Sequence, residues 1–277
     1  MNFNVDSDTV RNIWMLTKKN MTLYVRKGPV LIFGLMFPFF MVLSWILGRA
    51  ITLSQIFVGI VSMTSFFTAT AISPVILPIE TREKSLERLM SAPVSLIEIL
   101  SGIIIASTIY SILITSLIAV IFLIPIFASV SSPLAVFFVF LGISIMAILG
   151  SIIGLFFSAK PSYQTSDIMV LMNLVKFPLL FIGGVFIPLV AVPELVAFIY
   201  FLSPVTFLTE ILRNCVNEPT LISVELGFLG LIIWTVVAFI ATLFIQKKTM
   251  VKRFSETGGA GKKMKMMMMK KQSPAQA

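Results

Sequence analysis

The chain has 277 residues, of which 58% are apolar or aromatic and only 12% are charged, about half the charged share of an ordinary soluble domain. With 25 Phe and a mean hydropathy of +1.04, this composition excludes a soluble enzyme, a disordered protein and a disulfide scaffold. The lack of His excludes His-based catalysis and zinc sites, and the single Cys215 excludes an intrachain disulfide.

The N-terminal segment, residues 1–28, contains the first predicted element, an amphipathic helix over residues 8–27 that begins at Asp8. Its basic residues lie largely off the apolar stripe, and its Trp and Tyr favour the headgroup region of a bilayer. We therefore predict an elbow helix in the cytoplasmic membrane interface, the alternative being a simple topogenic anchor. The stripe consists of Val10, Ile13, Trp14, Thr17, Met21, Tyr24 and Val25.

Residues 29–246 form the predicted transmembrane domain, because they contain six apolar stretches, each near the roughly 20 residues that cross a bilayer as a helix. The apolar runs are continuous rather than alternating, which predicts helices and not barrel strands. If the N-terminus is cytoplasmic, 18 of the 21 Lys and Arg residues fall on the cytoplasmic side, so both termini are predicted to be cytoplasmic. The predicted spans are Pro29–Leu47, Leu53–Ile79, Ile97–Phe122, Pro133–Phe157, Ile168–Ile187 and Ser223–Ile245.

The loop of residues 80–96, after the second span, carries six charges within residues 80–88. Leu86, Leu89 and Met90 form an apolar stripe at helical spacing, and Pro93 closes the segment. A short cytosolic helix with one apolar face suits insertion into a groove on another protein. The alternative is a solvated connector that only fixes the topology.

Lys176 is predicted to lie within the fifth span, about 12 Å below the inner surface at ~1.5 Å per residue. Asn173 precedes it by one turn on the same face, and Glu98 and Asp167 are the carboxylates available to neutralise its charge. A charged residue at this depth marks either a transport pathway or gate, or a structurally paired or snorkelling side chain. Both interpretations stay open at this point.

The proline-broken segment 188–213 predicts two short half-helices that re-enter the membrane from outside, Pro193–Phe201 and Val205–Leu212. This arrangement places Glu210 and Arg213 near the outer mouth, at the i, i+3 spacing of a helical pair. The alternative is an apolar segment that lies on the outer leaflet.

Two glycine motifs carry little functional information. Gly150 and Gly154 in the fourth span match G-x-x-x-G, which lets two helices approach closely, within one subunit or between two. Residues 258–263 lack the first Gly and the Ser or Thr of a phosphate-binding loop, so no nucleotide site is predicted.

Residues 247–277 are predicted to be a basic low-complexity cytoplasmic tail that either associates with anionic lipid or has no role. This tail supplies most of the net charge of +9, which therefore does not indicate nucleic-acid binding.

Two stretches resemble the permeases of the ABC-2 type transporter family. The first, IETREKSLERLMSAPVSLIEILSGII at residues 79–104, is similar to the family's charged run before Leu-Glu-x-Leu, a Pro and the start of the third span. The second comprises residues 183–188, 193–194 and 202–213, and is similar to the family's Gly-x-x-x-Pro, Pro and Pro-x-x-x-x-x-Glu-x-x-Arg pattern before the last span. The resemblance covers residues 8–246 and implies an all-α integral membrane fold like that of type V ABC exporters.

The resemblance also implies that the chain is a transport subunit and not an enzyme. It would bind no metal or cofactor of its own, because ATP and Mg²⁺ belong to a separate ATPase chain. Two permeases, expected here to form a homodimer, would pair with two ATPase subunits in the cell membrane, with no nucleic acid involved. The loop after the second span would be a coupling helix seated in a cleft of the ATPase. The implied contact residues are Glu83, Leu86, Glu87, Arg88, Leu89 and Pro93.

The predicted function is ATP-driven export of a drug, lipid, polysaccharide or peptide by alternating access. A secondary carrier driven by an ion gradient is the alternative, but such carriers hold several acidic or His residues within their spans. The Phe residues are scattered along the sequence and predict no ordered stacking platform, so the substrate class stays open. The candidate pathway or gate residues are Asn173, Lys176, Glu210 and Arg213.

Overall fold

The computed structural model describes residues 7–26, 28–47, 49–83, 85, 89, 94–160 and 164–272. Within these ranges the chain is all-helical, with no residue in a strand. Short 3-10 helices at Ile124–Ser129 and Leu189–Ala191 join some of the α-helices. The α-helices are α1 (Ser7–Arg26), α2 (Gly28–Ile46), α3 (Leu53–Arg82), α4 (Leu96–Leu123), α5 (Pro133–Phe157), α6 (Thr165–Phe181), α7 (Glu194–Tyr200), α8 (Pro204–Cys215) and α9 (Val224–Gln272).

In the part of the chain that the structure describes, four helices are long and apolar enough to cross a bilayer. They are Leu53–Arg82, Leu96–Ser129, Pro133–Phe157 and Val224–Thr249. This confirms a multi-pass membrane protein, whereas the count of six spans stays a prediction. The first and fifth predicted spans correspond to α2 and α6, which have 19 and 17 residues.

The fifth predicted span differs in its C-terminal boundary. Helix α6 ends at Phe181 rather than at Ile187. The chain turns there because Gly184 adopts a positive φ of 69°, a backbone conformation that glycine takes without a steric penalty. Gly183 leaves room for α8, since a Cβ at that position would lie 2.8 Å from Cβ of Val205.

Helix α3 forms the centre of the fold. It contacts α2, α4, α5, α6 and α8, and its apolar length is buried on every side. Helices α4 and α9 bury a much smaller share of their length and expose Leu, Ile, Val and Phe side chains. Since a bilayer accepts such side chains, the exposed faces of α4 and α9 match lipid contact, whereas α3 is shielded from lipid by its neighbours.

Close packing of α5 against α3 depends on the two glycines of the G-x-x-x-G motif. A Cβ at Gly150 would lie 2.7 Å from Cβ of Ala69, and one at Gly154 would lie 2.9 Å from Cδ of Pro74. The motif therefore serves helix packing within this subunit, one of the two alternatives that the sequence left open.

Hydroxyl groups join α4 to α3 and to α5 in the buried interior. Ser111 Oγ lies 2.7 Å from Thr68 Oγ1 and donates to the carbonyl of Ser65 at 3.2 Å, while Ser107 Oγ donates to the carbonyl of Ala69 at 3.1 Å. Thr108 of α4 bonds Ser151 of α5. Interhelical hydrogen bonds of this kind average about 0.6 kcal/mol each in a membrane, so they fix register more than they add stability.

Helix α9 extends beyond the membrane-spanning residues to Gln272. Most of the predicted tail, residues 247–277, is therefore a continuation of the last helix in this structure. The sequence predicts a basic, low-complexity tail there and gives no indication of this helix.

Candidate functional site

The elbow helix α1 packs on α4 and is fastened to both ends of the charged loop. At the start of the loop, Lys19 forms an ion pair with Glu80, whose side chain is 3% exposed. At the end of the loop, Asn12 donates a hydrogen bond of 3.4 Å to Glu98. Because one helix holds both ends, the loop has a fixed base.

The end of the loop is also fixed locally by a capping box. Ser95 Oγ accepts a hydrogen bond from the backbone N–H of Glu98 at 3.2 Å, and the Glu98 carboxylate accepts one from the backbone N–H of Ser95 at 2.6 Å. This reciprocal pair starts α4 at a defined residue. Close contact with α1 follows one turn later, where a Cβ at Gly102 would lie 2.7 Å from Cβ of Leu16.

The structure describes part of the predicted ATPase-contact set. Glu83 lies at the exposed end of α3, and Leu89 is half-buried against the cluster that includes Leu16 and Ile99. Leu89 therefore has packing partners within its own chain, beyond any role in docking. The other predicted contacts lie outside the described residues; they are Leu86, Glu87, Arg88 and Pro93.

Helix α1 presents an exposed apolar surface on the side away from α4. Val10, Trp14 and Met15 are each more than half exposed, and the basic Arg11 and Lys18 are exposed beside them. Leu16, Thr17 and Asn20 are buried. This division into a packed face and an exposed apolar face suits a helix that lies in the membrane interface.

A cavity of about 490 Å³ lies between α2, α3 and α6. It contains both predicted pathway residues of the fifth span, Asn173 and Lys176, so their expected common face is observed. Its other lining residues are Phe37, Phe67, Ala71, Met169 and Phe177. A volume of this size is within the usual range for a small-molecule site, about 300–1,000 Å³.

Lys176 reaches this cavity from a buried position. Its side chain is 3% exposed, and its Nζ lies 4.2 Å from the centroid of the Phe67 ring. Neither predicted carboxylate neutralises it, and no described carboxylate pairs with it; Glu98 instead bonds Ser95 and Asn12. A desolvated cation–π contact is worth about 2 kcal/mol, less than the ~3 kcal/mol cost of a Lys at the centre of a bilayer.

Three Phe residues that are far apart in sequence meet at the same cavity. The centroid of Phe37 lies 4.8 Å from that of Phe67 and 5.0 Å from that of Phe177, and Phe67 and Phe177 are 5.9 Å apart. These are distances of interacting aromatic rings. The expectation that the Phe residues form no ordered platform is therefore wrong at this place, because three different helices each contribute one ring.

The predicted half-helices correspond to two short helices in the structure, α7 and α8. Whether they re-enter the membrane stays a prediction. Glu210 and Arg213 are each 1% exposed, and in the described structure no ion pair joins them. Glu210 instead accepts a hydrogen bond of 2.8 Å from the backbone N–H of Leu221, so it holds the loop before α9.

One face of α8 satisfies carbonyl groups at the end of α6 and in the turn that follows it. The last carbonyls of a helix lack partners within that helix, and in a membrane an unpaired carbonyl is costly. Here side chains at intervals of three or four residues supply the donors. Ser203 donates to the carbonyl of Leu179 (2.6 Å), Thr209 to that of Gly183 (2.9 Å) and Arg213 to that of Gly184 (3.0 Å), and the Thr206 hydroxyl is shared between the carbonyls of Tyr200 and Ile182.

Sequence reasoning missed Lys19, Glu80 and the three Phe residues as parts of a site. Lys19 appeared only as a charge off the apolar stripe, and Glu80 only as the start of a charged run. Their partners are distant in sequence, so local spacing gives no signal for them. The sequence itself offers two signals for this site: a carboxylate, Glu80, at the end of one apolar span, and a lysine, Lys176, inside another.

The sequence profile of a family described as ABC-2 type transporter matches residues 11–216. The match begins in α1 and ends just after α8, so it contains the fastened loop, the cavity residues and the α6–α8 contact. A comparison with curated proteins finds no match to the chain.

Proposed function

Because the chain belongs to the ABC-2 type transporter family, whose members are the permease subunits of ABC transporters, we propose that it is the permease of an ATP-driven exporter in the cell membrane. Members of the family generally partner with an ATP-binding subunit. In this proposal the energy comes from such a subunit, and two copies of this chain pair with two copies of it. The substrate leaves the cell by alternating access.

The observation that carries the proposal is the attachment of α1 to both ends of the loop 80–96. A docked loop transmits force only if its base is rigid. With Glu80 and Glu98 both held by α1, a displacement of the loop would move α3 and α4 together as a rigid body, the kind of movement that alternating access requires. A connector that only fixed topology would need no such attachment.

Docking of the loop is tested by Leu86→Ala. We expect this change to weaken retention of the ATP-binding subunit in a pull-down by about 30-fold, because removing one buried Leu contact costs ~2 kcal/mol. The matched control is Leu47→Ala, which removes the same group from a residue that is 70% exposed and predicted to be on the other side of the membrane. Equal retention by both variants would reduce the loop to a topogenic connector.

The carrier alternative predicts a different result in the same membranes. A secondary carrier would move substrate without an ATP-binding subunit and would stop when an ionophore collapses the ion gradient. An exporter of the proposed kind would stop when ATP is withheld and would tolerate the ionophore. Transport that depends on the gradient alone would therefore replace the exporter proposal.

Orientation is tested with single cysteines. Cys215 is 1% exposed and is a poor reporter, so the background is Cys215→Ala. In intact cells we expect a membrane-impermeant thiol reagent to label Ala50→Cys, in the exposed loop before α3, and not Ser166→Cys, at the exposed start of α6. Permeabilisation should make Ser166→Cys reactive. The reverse pattern would place the loop 80–96 outside the cell and rule out ATPase docking there.

A further inference from the structure

The cavity between α2, α3 and α6 combines a cationic group with aromatic walls. Lys176 and Asn173 are its polar lining residues, and Phe37, Phe67 and Phe177 supply most of its apolar lining. The two polar residues are three positions apart on one helix, so their side chains reach the cavity from the same face. A molecule bound here would meet polar donors on one side and flat apolar surfaces on the other.

The ammonium group of Lys176 lacks an acceptor in the described structure. Lysine carries three N–H donors, and the contact recorded for this one is the Phe67 ring. A ring face offsets only part of the cost of desolvating the charge, whereas an anion would both pair with it and accept its hydrogen bonds. The amide of Asn173 can supply a further donor to the same anion.

The aromatic rings define the remainder of the molecule. Phe37 and Phe67 stack with an interplanar angle of 16°, and Phe177 is tilted against both. Such a surface binds flat rings and alkyl chains by burying apolar area. It offers no hydrogen-bond partner for the many hydroxyl groups of a sugar polymer, and the ammonium repels a cation.

We propose that this cavity is a binding site for an anionic amphiphile, with the acidic group at Lys176 and Asn173 and the apolar body against the three Phe rings. This inference rests on the proposed function, since it names the class of substrate that the exporter would carry. Carboxylate, phosphate and sulfonate headgroups share the required chemistry. Cationic drugs, polysaccharides and cationic peptides do not fit it.

The test uses two fluorescent probes that share one aromatic skeleton, anilinonaphthalene sulfonate, which is anionic, and phenylnaphthylamine, which is neutral. Binding is measured on the full chain alone in phosphatidylcholine nanodiscs, with empty nanodiscs subtracted. We expect Lys176→Met to weaken binding of the sulfonate probe at least about tenfold and to leave the affinity for the neutral probe unchanged. Lys160→Met, which removes an exposed Lys just before α6, should change neither.

Each outcome decides the inference. Unchanged sulfonate affinity in Lys176→Met would overturn it. If Lys176→Met binds neither probe, Lys176→Gln is measured next, because a polar side chain of similar length should keep the cavity intact. If Lys176→Gln also binds neither probe, Lys176 has a structural role and the inference is overturned. Phe37→Ala should weaken the binding of both probes, since it removes part of the apolar wall of the cavity and leaves its charge unchanged.

Competition then identifies the source of the anion. Displacement of the sulfonate probe by dodecyl phosphate and not by dodecyltrimethylammonium indicates a free anionic amphiphile. Displacement of the probe by phosphatidylglycerol within the nanodisc indicates a membrane lipid. If no anion displaces the probe, the inference is overturned. The probe measurements contain no ATP-binding subunit, so a negative binding result would leave the exporter proposal intact. Likewise, a negative pull-down result would leave the binding result intact.

Discussion

Replacing Gly150 by Leu is expected to prevent the chain from folding to a monodisperse protein. The Cβ alone would lie 2.7 Å from Cβ of Ala69, an atom fixed directly to the α3 backbone that cannot rotate away. The remaining Leu atoms would push α5 away from α3, the helix around which the others pack. Gly150→Ala should cost about 1–3 kcal/mol, the usual penalty for overpacking a core.

Gly142→Ala on the same helix is the matched control. Its Cβ would lie 3.1 Å from Cδ1 of Leu208, which is the far end of a flexible side chain, so we expect a small loss of stability. Size-exclusion profiles in detergent after stepwise heating would rank the three variants. A Gly150→Leu protein as heat-resistant as the original chain would show that the α3–α5 contact is wrong.

Removing Lys19 is expected to destabilise the base of the loop by about 2–3 kcal/mol, because it leaves Glu80 buried without a partner. The value lies below that of a fully buried pair, since the Lys19 side chain is 38% exposed and solvent screens part of the interaction. Lys19→Met should therefore lower both thermal stability and retention of the ATP-binding subunit. Lys18→Met, an exposed neighbour on the same helix, should change neither.

A second change separates folding from coupling. Adding Glu80→Gln to Lys19→Met removes the unpaired buried charge, so thermal stability should recover. The link between α1 and the loop remains broken, so retention of the ATP-binding subunit should stay low. If retention recovers together with stability, the Lys19–Glu80 pair serves folding alone.

Much of the helical architecture follows from the sequence because the apolar runs are long and their ends are marked. Pro133–Phe157 was predicted at its observed boundaries from its apolar run, and in the structure a Ser132 N-cap and a Pro in the first turn mark its start. The fifth span was predicted too long because residues 182–187 are apolar, although the Gly183–Gly184 pair turns the chain. Hydropathy measures the affinity of a segment for lipid and is insensitive to a turn that is itself buried.

The candidate site was less predictable because its contacts join residues that are distant in sequence. Lys19 and Glu80 are 61 positions apart, and within the loop Glu80 had an attractive local partner in Lys84 at i, i+4. Lys176 and Asn173 were predicted together because one helix face carries both. The aromatic walls were not predicted, since Phe37, Phe67 and Phe177 meet only after three helices have packed.

The central position of α3 has a consequence for how the chain is made. It is the least apolar of the four long helices and the most completely buried, and its hydroxyl partners lie on α4, which follows it in the sequence. During synthesis α3 enters the membrane before α4, α5, α6 and α8 exist to surround it. Nascent chains that stop after the second span would expose the buried hydroxyl groups of this helix to lipid, and membrane quality control should remove them.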